Sequence, residues 1–108
     1  MKRIYVAHPL RGCGLHEEEL NRQKVTRICT LLSIEQPDLL LFSPIHNYSY
    51  IPAFVDQTQV LSYCRKWLEV CDELWVYGDW RSSEGCVMEV MMAELLGKVV
   101  VYKDGTEV

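Results

Sequence analysis

The sequence predicts an α/β fold: a mainly parallel sheet of four or five strands covered by helices on both faces. Strand-like segments alternate with segments of helical period along the whole chain. The strands read as continuous apolar runs rather than as apolar-polar alternations, the pattern of strands buried on both faces. Turn formers gather just after the strands, the edge at which open α/β sheets bind ligands.

Each element has its own signal. Arg3 to Ala7 is an apolar run rich in β-branched residues and reads as a buried first strand. His8-Pro9-Leu10-Arg11-Gly12-Cys13-Gly14 follows as a loop at its carboxyl end. From about His16 to Ser33, Val25, Ile28, Cys29 and Leu32 keep the i, i+3, i+4, i+7 spacing of an amphipathic helix, with Glu17, Glu18 and Glu19 in its first turn, where the helix dipole favours them. Pro37-Asp38 breaks the pattern, and Leu39 to Phe42 reads as a second buried strand ended by Ser43-Pro44. Residues 45–52 form a second loop whose His46 and Tyr48 either stack on a bound base or simply pack over the core edge.

Between Asp56 and Cys71, the positions Val60, Leu61, Cys64, Trp67, Leu68 and Cys71 again keep helical spacing, which makes Cys64 and Cys71 small buried hydrophobes. Asp72-Glu73 leads into a third strand, Leu74-Trp75-Val76-Tyr77. Ser82 and Ser83 are N-cap residues, Glu84 suits the positive end of a helix, and Gly97-Lys98 supplies the stop, so a helix spans Glu84 to Leu96. Val99 to Tyr102 is a fourth strand, and Lys103 to Glu107 a polar turn or tail.

One carboxylate is out of place. Glu89 shares its helix face with Cys86, Met92, Ala93 and Leu96, whereas Glu94 is set for a solvated pair with Lys98. Desolvation raises the pKa of an inward carboxylate and makes it a candidate for chemistry. The plainer alternative is a glutamate that curls out to solvent or holds a backbone amide.

Composition narrows the function. With 108 residues and 49% hydrophobic content, the chain is read as one domain over 1–108. A net charge of −4 without a basic run longer than Arg65-Lys66 argues against a nucleic-acid polymer or a membrane surface as partner, and favours a small molecule or a protein. The five cysteines include no CxxC pair, and the apolar run after Lys2-Arg3 is too short for a signal peptide or a span, which points to a reducing, cytoplasmic setting. His8, Cys13 and His16 match no zinc spacing, so neither a metal nor another cofactor is expected. Trp80, in a loop beside Asp79 and Arg81, is the tryptophan to test for a protein contact.

The start Tyr5-Val6-Ala7-His8-Pro9-Leu10-Arg11-Gly12, Asn21 early in the first helix, and Cys71-Asp72-Glu73-Leu74 at a strand entry resemble the nucleoside 2-deoxyribosyltransferase superfamily. The match is strongest at Ser83-x-Gly85-x-x-x-Glu89-x-x-x-Ala93 followed by Leu96-Gly97-Lys98, and the chain is especially similar to a small branch common in phages and bacteria. The resemblance implies a Rossmann-like three-layer domain, a homodimer or larger, acting on the N-glycosidic bond of a deoxyribonucleoside or its 5′-monophosphate. It implies Glu89 as the nucleophile of a retaining N-glycosidase or deoxyribosyltransferase, with Arg11 or Arg81 as an offsetting cation. Substrate contacts would come from Tyr5, His8, Pro9, Arg11 and Gly12, from His46 or Tyr48 over the base, and from Ser83 with Gly85 at a phosphate. Serine at position 83 is similar to the 2′-deoxynucleoside 5′-phosphate N-hydrolases, where the transferases commonly carry an acid; plain N-capping accounts for it equally. His8 departs from the small residue usual before the first-loop proline. Asp79 and Asp72 are the candidates for a second catalytic carboxylate, Asp72 alternatively capping the preceding turn. A nucleotide-binding or sensing module without turnover is the alternative function.

Overall fold

The computed structural model describes residues 1–11 and 14–103. Strands β1 (Lys2–Ala7), β2 (Leu39–Phe42), β3 (Glu73–Val76) and β4 (Val99–Tyr102) form a parallel sheet in the order β2-β1-β3-β4. Helix α1 (Leu15–Glu35) links β1 to β2, and the short α2 (Pro44–Asn47) and α3 (Gln57–Val70) lead to β3. A single 3₁₀ turn (Trp80–Ser82) and α4 (Glu84–Leu95) then lead to β4. Tyr77 and Lys103 donate backbone hydrogen bonds to Ala7 and Val76, so the ladder runs past the formal strand ends.

The strand order explains the layers. From β1 the chain moves outward to β2, then crosses back over β1 to β3 and continues to β4. With right-handed crossovers, this reversal puts the first helix on one face and the later helices on the other. On one side Val25, Ile28 and Leu32 of α1 pack on Ile4, Val6, Trp75 and Tyr77. On the other, Cys64 and Leu68 of α3 with Cys86, Val90 and Ala93 of α4 pack on Tyr5, Ala7, Leu74 and Val76. This is the Rossmann-like three-layer arrangement that the sequence leads one to expect.

Helix ends follow local chemistry. Asp56 caps α3 by accepting from the Thr58 amide at 2.9 Å, satisfying an otherwise orphaned donor. Gly97, at φ 72°, turns the chain out of α4 while the Lys98 amide donates back to the Ala93 carbonyl at 2.9 Å. At the amino edge of the sheet, Arg3 grips Asp72 and Lys2 pairs with Glu73, tying β1 to the start of β3.

Two expectations change. The second strand is half-exposed rather than buried, with Leu40 54% accessible, because β2 is an edge strand. An apolar run does not reveal whether a strand is central or at an edge. The segment after Phe42 begins not as a loop but as α2, where Pro44 occupies a first-turn position that needs no amide donor. The expected polar tail beyond Lys103 lies outside the described residues. Because Leu74 is fully buried in β3 and Leu40 sits on the open edge, Leu74→Ala should cost about 2–5 kcal/mol and Leu40→Ala no more than about 0.5 kcal/mol. Urea unfolding of both variants checks the difference.

Candidate active site

The reversal of winding lies between β1 and β3, and a doubly wound sheet opens a crevice at the carboxyl ends of such a strand pair. Tyr5 points from β1 towards α3 and α4 and is fully buried; Glu89, in the second turn of α4, is 7% accessible. The Tyr5 hydroxyl donates a hydrogen bond to Glu89 Oε2. Burial pushes the Glu89 carboxyl up to about 7, opposed by the Tyr5 hydrogen bond. Burial and the nearby Glu89 charge together lift the Tyr5 phenol well above its ordinary value, so it stays protonated and remains a donor. The partner of the inward carboxylate is thus a phenol. The cations proposed for that task lie elsewhere: Arg81 is spread over the Trp80 ring at 4.7 Å, and both Arg81 and Arg11 are exposed.

The loops after β1 and β3 meet beside this pair. Gly78 has φ 69°, and a side chain there would meet Pro9 Cδ at 3.4 Å and His8 Nε2 at 3.6 Å. Those are ordinary van der Waals distances, so it is the left-handed backbone that calls for glycine here. His8 is buried, and its Nδ1 donates to the Pro9 carbonyl at 2.6 Å, because a carbonyl can only accept. Burial also lowers the His8 pKa, so the ring is neutral near pH 7 and presents Nε2 as an acceptor. Asn21 of α1 donates to the Leu10 carbonyl at 2.9 Å and ties the loop down. Gly12, like Cys13 of the metal reading, lies outside the described residues.

At the start of α4, Ser83 Oγ accepts from the Cys86 amide at 3.3 Å as an N-cap. Asp79 accepts from the Ser82 hydroxyl at 2.8 Å and is exposed. A side chain at Gly85 would meet only Ser83 Oγ, at 4.0 Å, so the space beside this helix end is open. Trp80 packs its ring against Tyr102 at 5.4 Å and is half-buried rather than displayed.

The second-loop residues separate. Tyr48 joins the Glu89 face: its hydroxyl accepts from Trp67 Nε1 at 2.8 Å, and it packs on Phe42, which stacks on Trp67 at 4.4 Å and touches Tyr5 at 5.2 Å. His46 turns to the α1 side, its Nδ1 against Ser43 Oγ and its Nε2 against Thr26 Oγ1, each at 2.8 Å. Asp72 is at the opposite edge of the sheet. It accepts from the Arg3 amide at 2.7 Å and from Nη2 at 3.0 Å, and the Arg3 guanidinium holds its carboxyl down to about 2. It is an anchor between β1 and β3, neither a turn cap nor a neighbour of Glu89. The Tyr5 contact was the residue relation that sequence spacing missed, since a pairing 84 positions apart leaves no local trace. Among the described residues, no group of three or more His, Cys, Asp and Glu side chains is set to hold a metal, and no helix is long and apolar enough to cross a membrane.

A family profile described as a domain of unknown function (DUF4406) matches residues 2–102. No curated protein matches the sequence. Among solved structures, a 2-deoxyribosyltransferase from Bacillus psychrosaccharolyticus superposes with a TM-score of 0.70 at 21% identity, over 94% of this chain and 72% of its own. A 2-deoxyribosyltransferase from Leishmania mexicana gives 0.64 at 18% identity, over 96% and 65%. The CMP N-glycosidase BcmB from Clostridium botulinum gives 0.61 at 17% identity, over 95% and 71%. The chain thus spans 65–72% of the length of these proteins and has their fold.

Burial raises the Glu89 carboxyl from 4.5 to about 7, so the folded chain holds this proton more tightly than the unfolded one. The resulting stabilisation is complete below about 4.5 and is lost as the pH rises through about 7. Glu89→Gln, which removes the charge and keeps the shape, should therefore exceed the parent in stability at pH 8 by on the order of 3 kcal/mol, and the gap should close towards pH 4. Urea unfolding at both pH values measures it.

Proposed function

The chain belongs to the family of the domain of unknown function DUF4406, and we propose that it cleaves or transfers at the N-glycosidic bond of a deoxyribonucleoside or its 5′-monophosphate. The observation that carries this reading is the buried Glu89 carboxylate on the Tyr5 hydroxyl, beside the crevice of a fold shared with two deoxyribosyltransferases and an N-glycosidase. A binding module has no need of a carboxylate held inward at that cost in desolvation.

In the proposed reaction the ionised Glu89 attacks the anomeric carbon of the sugar. The carbon–nitrogen bond breaks, and the base leaves with the bonding electrons and takes a proton from solvent or a nearby acid. The sugar is left as an ester on Glu89. Water, or the ring nitrogen of a second base, then attacks the same carbon from the vacated face; the ester bond breaks and the carboxylate is regenerated, with overall retention. Tyr5 steadies the free carboxylate before the first step and after the second through its single proton.

The remaining residues take roles around that centre. Neutral His8 offers Nε2 as an acceptor from the wall of the first loop, next to Pro9, with Arg11 exposed at its rim. Tyr48 lies on the side from which a base would stack, and Asp79 is the second carboxylate near the start of α4. The open amino end of α4, with Ser83 and Gly85, suits a 5′-phosphate, because the helix dipole and free amides favour an anion there. In this reading the protein works in the cytoplasm as a homodimer or larger.

Incubation with a panel of deoxynucleosides and their 5′-monophosphates should release free base, followed by chromatography, and Glu89→Ala should reduce release to background. The nucleophile works only when ionised, so kcat/KM should rise with pH and level off above about 7. Ser83→Ala should weaken monophosphates more than nucleosides; an equal loss removes the phosphate from the reading. Thermal stabilisation by one member of the panel without any base release would favour the binding module instead.

A further inference from the structure

Helix α2 is a single turn of four residues, too short to persist in water by itself, so its side chains must tie it down. It follows the edge strand β2 and is tied to both layers beside the sheet. On the α1 side, Ile45 packs into the cluster that holds Val25 and Ile28, and His46 bridges two hydroxyls. Ser43, at the N-cap position, makes no capping bond with its side chain; its Oγ lies 2.8 Å from His46 Nδ1 instead. Thr26 Oγ1, from the middle of α1, lies 2.8 Å from His46 Nε2. A hydroxyl can donate or accept, so both contacts hold in either tautomer of the ring. On the other side, Tyr48 ends the turn with its amide donating to the Pro44 and His46 carbonyls, and its hydroxyl accepts from Trp67 Nε1 of α3 at 2.8 Å. The Ser43 contact is local to the turn and orients the ring, whereas the Thr26 contact crosses to another element.

We infer that His46 is a positioning residue for Tyr48: its bond to Thr26 fixes α2 against α1 and so seats the Tyr48 hydroxyl on Trp67 and its ring on Phe42. The line of contacts runs from Thr26 through His46 and the backbone of α2 to Tyr48, then to Phe42 at 6.3 Å and Tyr5 at 5.2 Å, the phenol that holds Glu89. A histidine that sequence alone would set over the base thus acts on the opposite side, through its neighbour. The consequence for substrate rests on the proposed reading that a base stacks on the Tyr48 side; the seating of Tyr48 does not.

The Trp67 indole proton reports that seat without substrate, its NMR signal assigned by its loss in Trp67→Phe. The indole of Trp75, which donates to Glu73 at 2.8 Å, is the internal control. Thr26→Val removes the hydroxyl, and His46→Asn has an amide that reaches Ser43 but not Thr26. Each should speed exchange of the Trp67 indole proton roughly fivefold and leave that of Trp75 unchanged. His46→Gln, whose amide reaches as far as Nε2, should restore the parent rate, and Thr26→Val combined with His46→Asn should be no faster than either alone. Where base release is measured, Thr26→Val should raise KM by a similar factor with kcat unchanged. A Trp67 rate unmoved by valine and asparagine, equal acceleration of both indoles, glutamine as fast as asparagine, or an unmoved KM in a protein that releases base overturns the inference. A parent protein that releases no base refutes the proposed activity and leaves the exchange rates to decide the role of His46.

Discussion

Everything at the candidate site depends on a carboxylate that the fold keeps out of water. Glu89 is nearly inaccessible, and a group so placed resists ionisation unless something replaces its hydration. Here the replacement is a phenol on a central strand, itself fully enclosed and unable to ionise near neutrality. A cation would have locked the carboxylate in its charged form. A phenol leaves it poised near pH 7, able to gain or lose its proton. The cost falls on stability above neutral pH, which is how functional groups commonly trade against folding.

The winding of the chain provides the geometry. Because β1 and β3 are adjacent and their following connections diverge to opposite faces, two loops end side by side and α4 begins just beyond them. Gly78, in the left-handed backbone region, turns the second loop against His8 and Pro9, and Asn21 fixes the first loop from α1. Arg3 and Asp72 clamp the same two strands at the opposite edge. The strand pair is thus fastened at the end away from Glu89.

Much of this was legible in the residues. Continuous apolar runs gave the strands and their parallel sense, helical spacing placed α3 and capping residues placed α4, each within a residue or two. The inward glutamate was legible too, from its apolar neighbours one turn away on either side. What local pattern cannot carry is contact between distant segments. Tyr5 looks like any apolar strand residue, and only the packing of α4 across β1 makes it the partner of Glu89. Likewise, Asp72 and Asp79 look equivalent as acids next to β3, but strand direction sends them to opposite ends of the sheet. His46 and Tyr48 are two positions apart in sequence, and the bend at the end of α2 turns one to each face. Edge strands were beyond reach because strand order is a property of the whole chain.

The aromatic column under the second loop has an optical consequence. Trp67 is 39% accessible, its indole stacked on Phe42 and bonded to Tyr48, while Trp75 and Trp80 each lie under a cation. The emission of Trp67 therefore depends on whether Tyr48 stays seated. Any compound that slides a ring between them would change the colour and intensity of that light, giving the protein an intrinsic reporter of occupancy that needs no label.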